Sequence, residues 1–200
     1  DILNDLRGTG FNEMFDRYFG NRHFNVKGAA INLELTITLE DAYNGITKEI
    51  PIGKYPPFTI RVERGIANGA KLRIKNKGMP NAFNSNSERG DVIITVKILD
   101  HKIFERNHND IHSVVNVLYL DALLGCEVEI PTINGKVKVK IPQLTQQGEL
   151  LKLKDKGMPI YQNTPECEFG DMYIHINIIM PTRLSDAERV LLNDLKNLNK

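Results

Sequence analysis

The chain has 200 residues, 41% of them hydrophobic, and 26 Lys and Arg against 25 Asp and Glu give a formal net charge of +1. This balance argues against a dedicated nucleic-acid-binding protein, which normally carries a large basic excess. No apolar run reaches the roughly 18–20 residues of a membrane-spanning helix, and the first residues lack the basic and then apolar segments of a signal peptide. Cys126 and Cys167 form no CxxC motif, so we expect two free thiols in a reducing, cytoplasmic setting.

The first 28 residues are rich in Gly, Asn and Phe. Phe11, Phe15, Tyr18 and Phe19 recur at the spacing of one helix face and predict a short helix. Its apolar face has no partner inside the segment. The helix could therefore dock on a groove of the same chain, dock on a neighbouring molecule, or remain loosely ordered.

Strand patterns begin at Ile31, where apolar and polar residues alternate up to Leu39. Residues 40–45 are typical of a short helical turn that ends at Gly45, because glycine readily adopts the left-handed conformation of a helix end. Further strands are predicted in residues 47–52, 58–62, 72–74 and 92–98. This order of elements is typical of a small β-sandwich-like domain.

The same order returns about 80 residues later. Lys75–Pro80 reads Lys-Asn-Lys-Gly-Met-Pro, and Lys154–Pro159 reads Lys-Asp-Lys-Gly-Met-Pro. The pair Gly90-Asp91 is matched by Gly170-Asp171. A period of this length is too long for a solenoid repeat and suits a small domain duplicated in tandem. The sequence therefore predicts a mainly β chain of two tandem homologous β-sandwich-like domains with short helices, followed by a C-terminal helix.

The predicted C-terminal helix begins at a capping box formed by Ser185 and Glu188, three residues apart. An apolar stripe at helical spacing follows, made of Val190, Leu191, Leu192, Leu195 and Leu198. An isolated helix of this length is marginally stable in water. It is therefore expected to pack either on its own domain or against the same helix of a second chain.

Short motifs accompany the repeat in a fixed order. They are Leu39–Ala42 with Gly45, Gly65 to Gly69 before Lys71–Ile74, Gly78 with Gly90-Asp91, His101–Arg106, Asp110-Ile111, Leu124-Gly125, Val128–Thr132, Gly135, Ile141-Pro142, Gly148, Lys156–Pro159 and Gly170-Asp171. With these motifs in this order, residues 29 to 198 resemble the C-terminal substrate-binding region of DnaJ-type co-chaperones, the J-domain protein family. The Gly- and Phe-bearing start resembles the end of the linker that follows a J-domain.

Three departures from the family pattern define the kind of member. Members that contain zinc interrupt the first domain with CxxCxGxG repeats, whereas residues 47–58 run straight through here, so the chain resembles the zinc-free type. The His-Pro-Asp signature with which a J-domain stimulates its partner's ATPase is absent from these residues. His108 stands where the family usually has glycine.

The resemblance implies four segments and a function. Residues 1–28 are a linker remnant, 29–107 are domain I with a client-peptide groove, 108–182 are domain II, and 183–200 are a dimerisation helix. The implied function is to hold unfolded polypeptide and deliver it to a DnaK-type heat-shock chaperone, as a homodimer joined through Leu191, Leu192, Leu195 and Leu198.

The resemblance also assigns the client groove to five apolar positions: Leu33, Leu35, Ile50, Ile52 and Ile94. From alternation alone these residues would be assigned to the core of the sandwich. Two lysines near the groove, Lys48 and Lys54, are implied to bind an acidic tail of the partner chaperone.

Three other classes of function are less well supported by the sequence. Asp91 and Asp171 follow glycines without a second carboxylate or a base, so no enzyme is predicted. His108 and His112 have the spacing of a helical metal pair, but they span the start of a strand, so solvated histidines and no metal or cofactor are expected.

DNA binding is the alternative function, because some zinc-free relatives bind curved DNA. Lys136, Lys138 and Lys140 alternate along one strand, with Lys152, Lys154 and Lys156 further along the second repeat. Such a stripe is usually a solvated sheet face, so this alternative ranks below peptide binding.

Overall fold

The computed structural model describes residues 27–53, 55–81, 88–160 and 168–198. The helix predicted from the N-terminal aromatic residues, Lys54 and Cys167 lie outside these residues. In the described part of the chain, no helix combines the length and the apolar character needed to span a membrane.

The described residues are mainly β, with short helices and a C-terminal helix, which confirms the predicted fold class. The strands are β1 (Ile31–Ile37), β2 (Ile46–Ile52), β3 (Tyr55–Val62), β4 (Lys71–Ile74), β5 (Val92–Ile98), β6 (Phe104–Asn107), β7 (Asp110–Leu118), β8 (Cys126–Thr132), β9 (Gly135–Ile141), β10 (Leu150–Leu153) and β11 (Met172–Ile179). The helices are α1 (Leu39–Asn44), α2 (Tyr119–Leu124) and α3 (Asp186–Leu198).

Four sheets organise these strands. Their strand orders are β1-β5-β4, β2-β3, β10-β11-β7-β6 and β8-β9. The repeat is visible in these strand orders. The sheets β1-β5-β4 and β2-β3 of the first copy correspond to β7-β11-β10 and β8-β9 of the second. Within the part of the chain that the structure describes, the second copy has an additional strand, β6, which pairs antiparallel with the start of β7.

The chain divides into two compact units. Of the described residues, one unit combines those up to Leu35 with those from Lys71 to Thr95, and the other combines those from Thr36 to Ala70 with those that follow Thr95. The core of the first includes Val92 and Ile94, and the core of the second includes buried side chains of β3, β7, β8 and β11. The predicted domain boundary at residues 107 and 108 stays a prediction.

The Lys-Gly-Met-Pro landmarks mark a close crossing of backbone segments. Gly157 N–H donates to the Gly170 carbonyl at 2.8 Å, and Met158 N–H donates to the Asn109 carbonyl at 2.8 Å. A Cβ atom at Gly170 would lie 2.0 Å from the Asn109 carbonyl oxygen, so no side chain fits there. The first repeat has the same crossing, where Gly78 N–H donates to the Gly90 carbonyl at 2.7 Å. The most recognisable motif of the sequence therefore serves backbone packing.

Arg106 on β6 holds the turn that contains Gly65 in the same compact unit. Its guanidinium donates to the Ile66 carbonyl at 2.7 Å, to the Gly65 carbonyl at 2.9 Å and to the His108 carbonyl at 2.7 Å. Burial lowers the pKa of Arg106, but arginine remains charged in proteins. Charge-assisted bonds from one rigid guanidinium fix the start of the second repeat against this turn.

The turn between β6 and β7 explains the unusual residue at position 108. His108 has φ of 56°, in the left-handed region that favours glycine. Its Nδ1 atom lies 2.8 Å from Asn107 Oδ1, a local hydrogen bond that glycine would lack. His108 therefore occupies this turn in a backbone conformation that glycine adopts readily.

Candidate functional site

The predicted groove positions lie on three strands and differ in exposure. Leu33 on β1 and Ile50 on β2 are half-buried. Leu35 and Ile52 are buried, and Ile94 on β5 is 0% exposed. Leu33 and Ile50 can therefore contact a ligand directly, whereas Ile94 contributes to the core.

β1 and β2 each also have an edge that pairs with no other described strand. β1 is the end strand of its sheet, with β5 as its neighbour, and β2 pairs with β3. Unpaired N–H and C=O groups along an edge can add an extended peptide as a further strand. An apolar, partly exposed side chain beside such an edge is the combination that peptide binding requires.

The second repeat provides an internal comparison, because its sequence is shifted by 80 residues. Ser113 corresponds to Leu33 and is 3% exposed, and Ile130 corresponds to Ile50 and is 0% exposed. β6 covers the edge of β7 from Asp110 to Ser113. The two positions that are open in the first repeat are thus closed in the second.

Lys48 lies on the same face of β2 as Ile50, since alternate residues of a strand face the same side. Its Nζ atom donates to the Thr36 carbonyl at 3.3 Å. Its partner across the hairpin is the buried Ile60. The ammonium group is therefore held beside the apolar positions of β2.

The lysine stripe considered for DNA binding is matched by glutamates. Glu127 pairs with Lys140 and Glu129 pairs with Lys138 across the β8-β9 hairpin. Lys136 Nζ lies 3.1 Å from Glu129 Oε2. Opposite charges on neighbouring strands offset one another, so two glutamates offset most of the positive charge of these three lysines, which weakens the case for a DNA-binding surface.

Asp91 and Asp171, rejected above as catalytic groups, hold turns that correspond in the two repeats. The N–H groups of Asn76 and Asp155, both with positive φ, donate to these carboxylates at 3.1 Å. The Asn76 N–H and then the Arg73 guanidinium lower the pKa of Asp91. The Lys152 ammonium and then the Asp155 N–H lower the pKa of Asp171. These bonds give both carboxylates a structural role.

A lowered folded-state pKa means that each carboxylate contributes stability above its unfolded value of about 3.9, and that this contribution is lost as pH falls through the folded value. The double variant Asp91→Asn/Asp171→Asn should therefore lose less thermal stability than wild type between about pH 5 and pH 2. Thermal midpoints measured by circular dichroism against pH check this. Asp100→Asn, which changes an exposed carboxylate, is the control, and its thermal midpoint should fall with pH as that of wild type does. A double variant whose midpoint falls as steeply as that of wild type would contradict the assignment.

The C-terminal helix begins as predicted. Ser185 Oγ accepts from the Glu188 N–H at 3.2 Å, and Glu188 Oε2 accepts from the Ser185 N–H at 2.7 Å, which confirms the capping box. None of the described residues of α3 is buried. Leu191, Leu195 and Leu198 are exposed and Leu192 is half-buried.

The histidines are arranged differently from the spacing considered in the sequence. His108 occupies the β6-β7 turn, whereas His112 lies within β7 and is hydrogen-bonded to His175 on β11. His112 and His175 are half-buried. Sequence spacing missed this pair because its members are 63 residues apart.

Comparisons with known proteins agree on one family. The family model described as DnaJ C terminal domain matches residues 31–181. Chaperone protein DnaJ of Acetivibrio thermocellus is 33% identical over 147 residues, which cover 74% of this chain and 37% of that protein. Chaperone protein DnaJ 2 of Aquifex aeolicus is 42% identical over 138 residues, covering 68% and 34% respectively. The chain spans about a third of the length of these curated relatives.

Proposed function

Because the chain belongs to the DnaJ C terminal domain family, we propose that it is the client-binding and dimerisation region of a co-chaperone. In this role it holds unfolded polypeptide and delivers it to a DnaK-type chaperone, without catalysing a reaction of its own. The observation that carries the proposal is the contrast between the repeats: Leu33 and Ile50 are partly exposed, and their counterparts Ser113 and Ile130 are closed.

The proposed client site uses the apolar positions of β1 and β2. Leu33 and Ile50 are each proposed to contact a client on their own strand, whereas Leu35, Ile52 and Ile94 are buried and belong to the cores of their own units. Backbone groups at the unpaired edge of either strand hold the client extended. Sequence-independent backbone bonds suit a protein that must accept many clients.

The affinity expected of such a site is modest. A few apolar side chains at about 1–2 kcal/mol each, less the cost of ordering the peptide, leave a dissociation constant on the order of micromolar. Weak binding allows a client to be passed on. Two sites in one dimer would raise the apparent affinity through effective concentration.

The proposed partner contact is at Lys48. A positively charged group beside apolar positions of β2 suits a peptide that ends in carboxylates, and such a peptide would bind there in competition with a client. Lys54, which lies outside the described residues, is proposed to assist it.

The proposed dimer contact is the apolar stripe of α3. Leu191, Leu195 and Leu198 are exposed in one chain, and the same helix of a second chain would bury them. A helix whose described residues bury no side chain gains stability from such pairing.

Titration of a fluorescent, extended apolar peptide into the chain tests the proposed function. Saturable binding on the order of micromolar with little dependence on salt is expected. A duplex DNA competitor should not displace the peptide. Absence of peptide binding would overturn the proposal. DNA binding that weakens steeply with salt would favour the DNA-binding alternative instead.

A further inference from the structure

A pair of histidines lies on the sheet of the second repeat, away from the proposed client site. His112 on β7 and His175 on β11 belong to parallel neighbouring strands. His112 Nδ1 lies 3.0 Å from His175 Nε2, and the ring centroids are 5.4 Å apart. The two nitrogens therefore face each other almost head-on and share one proton.

Neighbouring side chains orient the pair. The Tyr173 ring stacks on His112 with centroids 5.2 Å apart, and Glu105 is the partner of His112 across β6 and β7. His112 and His175 border a depression of about 870 Å³ that solvent can enter. Two nitrogen ligands that solvent can reach are suited to a metal cation.

We propose that His112 and His175 bind one divalent transition-metal ion. Two metal–nitrogen bonds of about 2.0–2.1 Å drawn to nitrogens 3.0 Å apart enclose an angle of about 94°. This angle matches the cis positions of a square-planar or octahedral ion and is narrower than the tetrahedral angle. The preferred ions are therefore Cu²⁺ and Ni²⁺, ahead of Zn²⁺.

Water completes the coordination. Among the described residues, no third His, Cys, Asp or Glu lies close enough to complete a larger ligand set. Glu105 contributes negative charge from the neighbouring strand. Lys102 and Arg106 also line the depression, and the Arg106 guanidinium is bound to the carbonyls of Gly65, Ile66 and His108. Lys152 is offset by Asp171, whose Oδ2 atom lies 2.6 Å from its Nζ atom.

Binding needs one proton shift and a turn of each lone pair by roughly 43° away from the line that joins the two nitrogens, with the nitrogens kept about 3.0 Å apart. The ring that donates the shared proton carries it on its other nitrogen instead, so both facing nitrogens present lone pairs and no proton is released. Both rings turn about their Cβ–Cγ bonds until the lone pairs converge, which the broad torsional preference of histidine permits. The ion then links β7 to β11, the two central strands of the sheet.

Thermal unfolding with NiCl₂ tests the proposal, because a ligand that binds the folded state raises its stability. A Cys126→Ser/Cys167→Ser chain should gain at least about 2 °C in its midpoint, and MgCl₂ should have no effect. His112→Gln and His175→Gln should each abolish the gain, whereas His108→Gln should retain it. A gain that survives His175→Gln, or no gain in the parent chain, would overturn the proposal.

A second measurement does not depend on the stability of the variants. Paramagnetic Cu²⁺ added to the isotope-labelled parent chain should broaden amide signals of β7 and β11 near the pair before any others. Broadening that starts at His108 or elsewhere would contradict the assignment.

Discussion

Replacing Ile50 by Ser is expected to weaken the binding of an extended apolar peptide by about tenfold, since the lost contact contributes about 1–2 kcal/mol. The fold should survive, because Ile50 is half-buried and its strand remains paired with β3. Peptide affinity by fluorescence anisotropy and unfolding by urea, both on the same samples, check the two halves of this prediction.

Ile130→Ser is the matched control, because Ile130 corresponds to Ile50 in the second repeat and is 0% exposed. Loss of a fully buried isoleucine should lower the free energy of unfolding by about 3–5 kcal/mol. The peptide affinity of the folded molecules should not change. Loss of cooperative unfolding in Ile50→Ser would show that Ile50 is a core residue and would contradict the proposed site.

The second large effect concerns assembly. Leu191→Asp/Leu195→Asp places two charges on the apolar face of α3 and should convert a dimer of 22.7 kDa chains into monomers, because burying unpaired carboxylates is strongly unfavourable. Sedimentation equilibrium measures the mass directly. The monomer should also lose the gain in apparent affinity for a client that spans two sites.

Asn193→Asp is the control for added charge, since Asn193 lies about 160° around the helix from both Leu191 and Leu195. This variant should retain the dimer mass. A wild-type chain that already sediments at 22.7 kDa, or a leucine variant of unchanged mass, would remove α3 from the proposed assembly.

Much of the fold could be predicted from the sequence because local chemistry determines it. The capping box at Ser185 and Glu188 needs residues three apart and forms as expected. The repeated Gly78 and Gly157 mark backbone crossings where side chains do not fit. The alternation from Ile31 predicted β1 because period-two patterns are typical of a strand with one buried face.

The openness of the candidate site could not be predicted in the same way. Alternation identifies the apolar face of a strand, but it does not distinguish the half-buried Leu33 from the fully buried Ile94. That difference depends on which strands cover each face and edge. The pairing of His112 with His175 was also missed, because it follows from the parallel register of β7 and β11.

The most direct test of the client site is a titration of the isotope-labelled chain with an unlabelled apolar peptide, followed by backbone amide shifts. Saturable shifts are expected along β1 and β2, at residues 31–37 and 46–52, with the corresponding strands β7 and β8 unaffected. Shifts confined to the second repeat, or of equal size in both repeats, would contradict the view that the open positions of the first repeat receive the client.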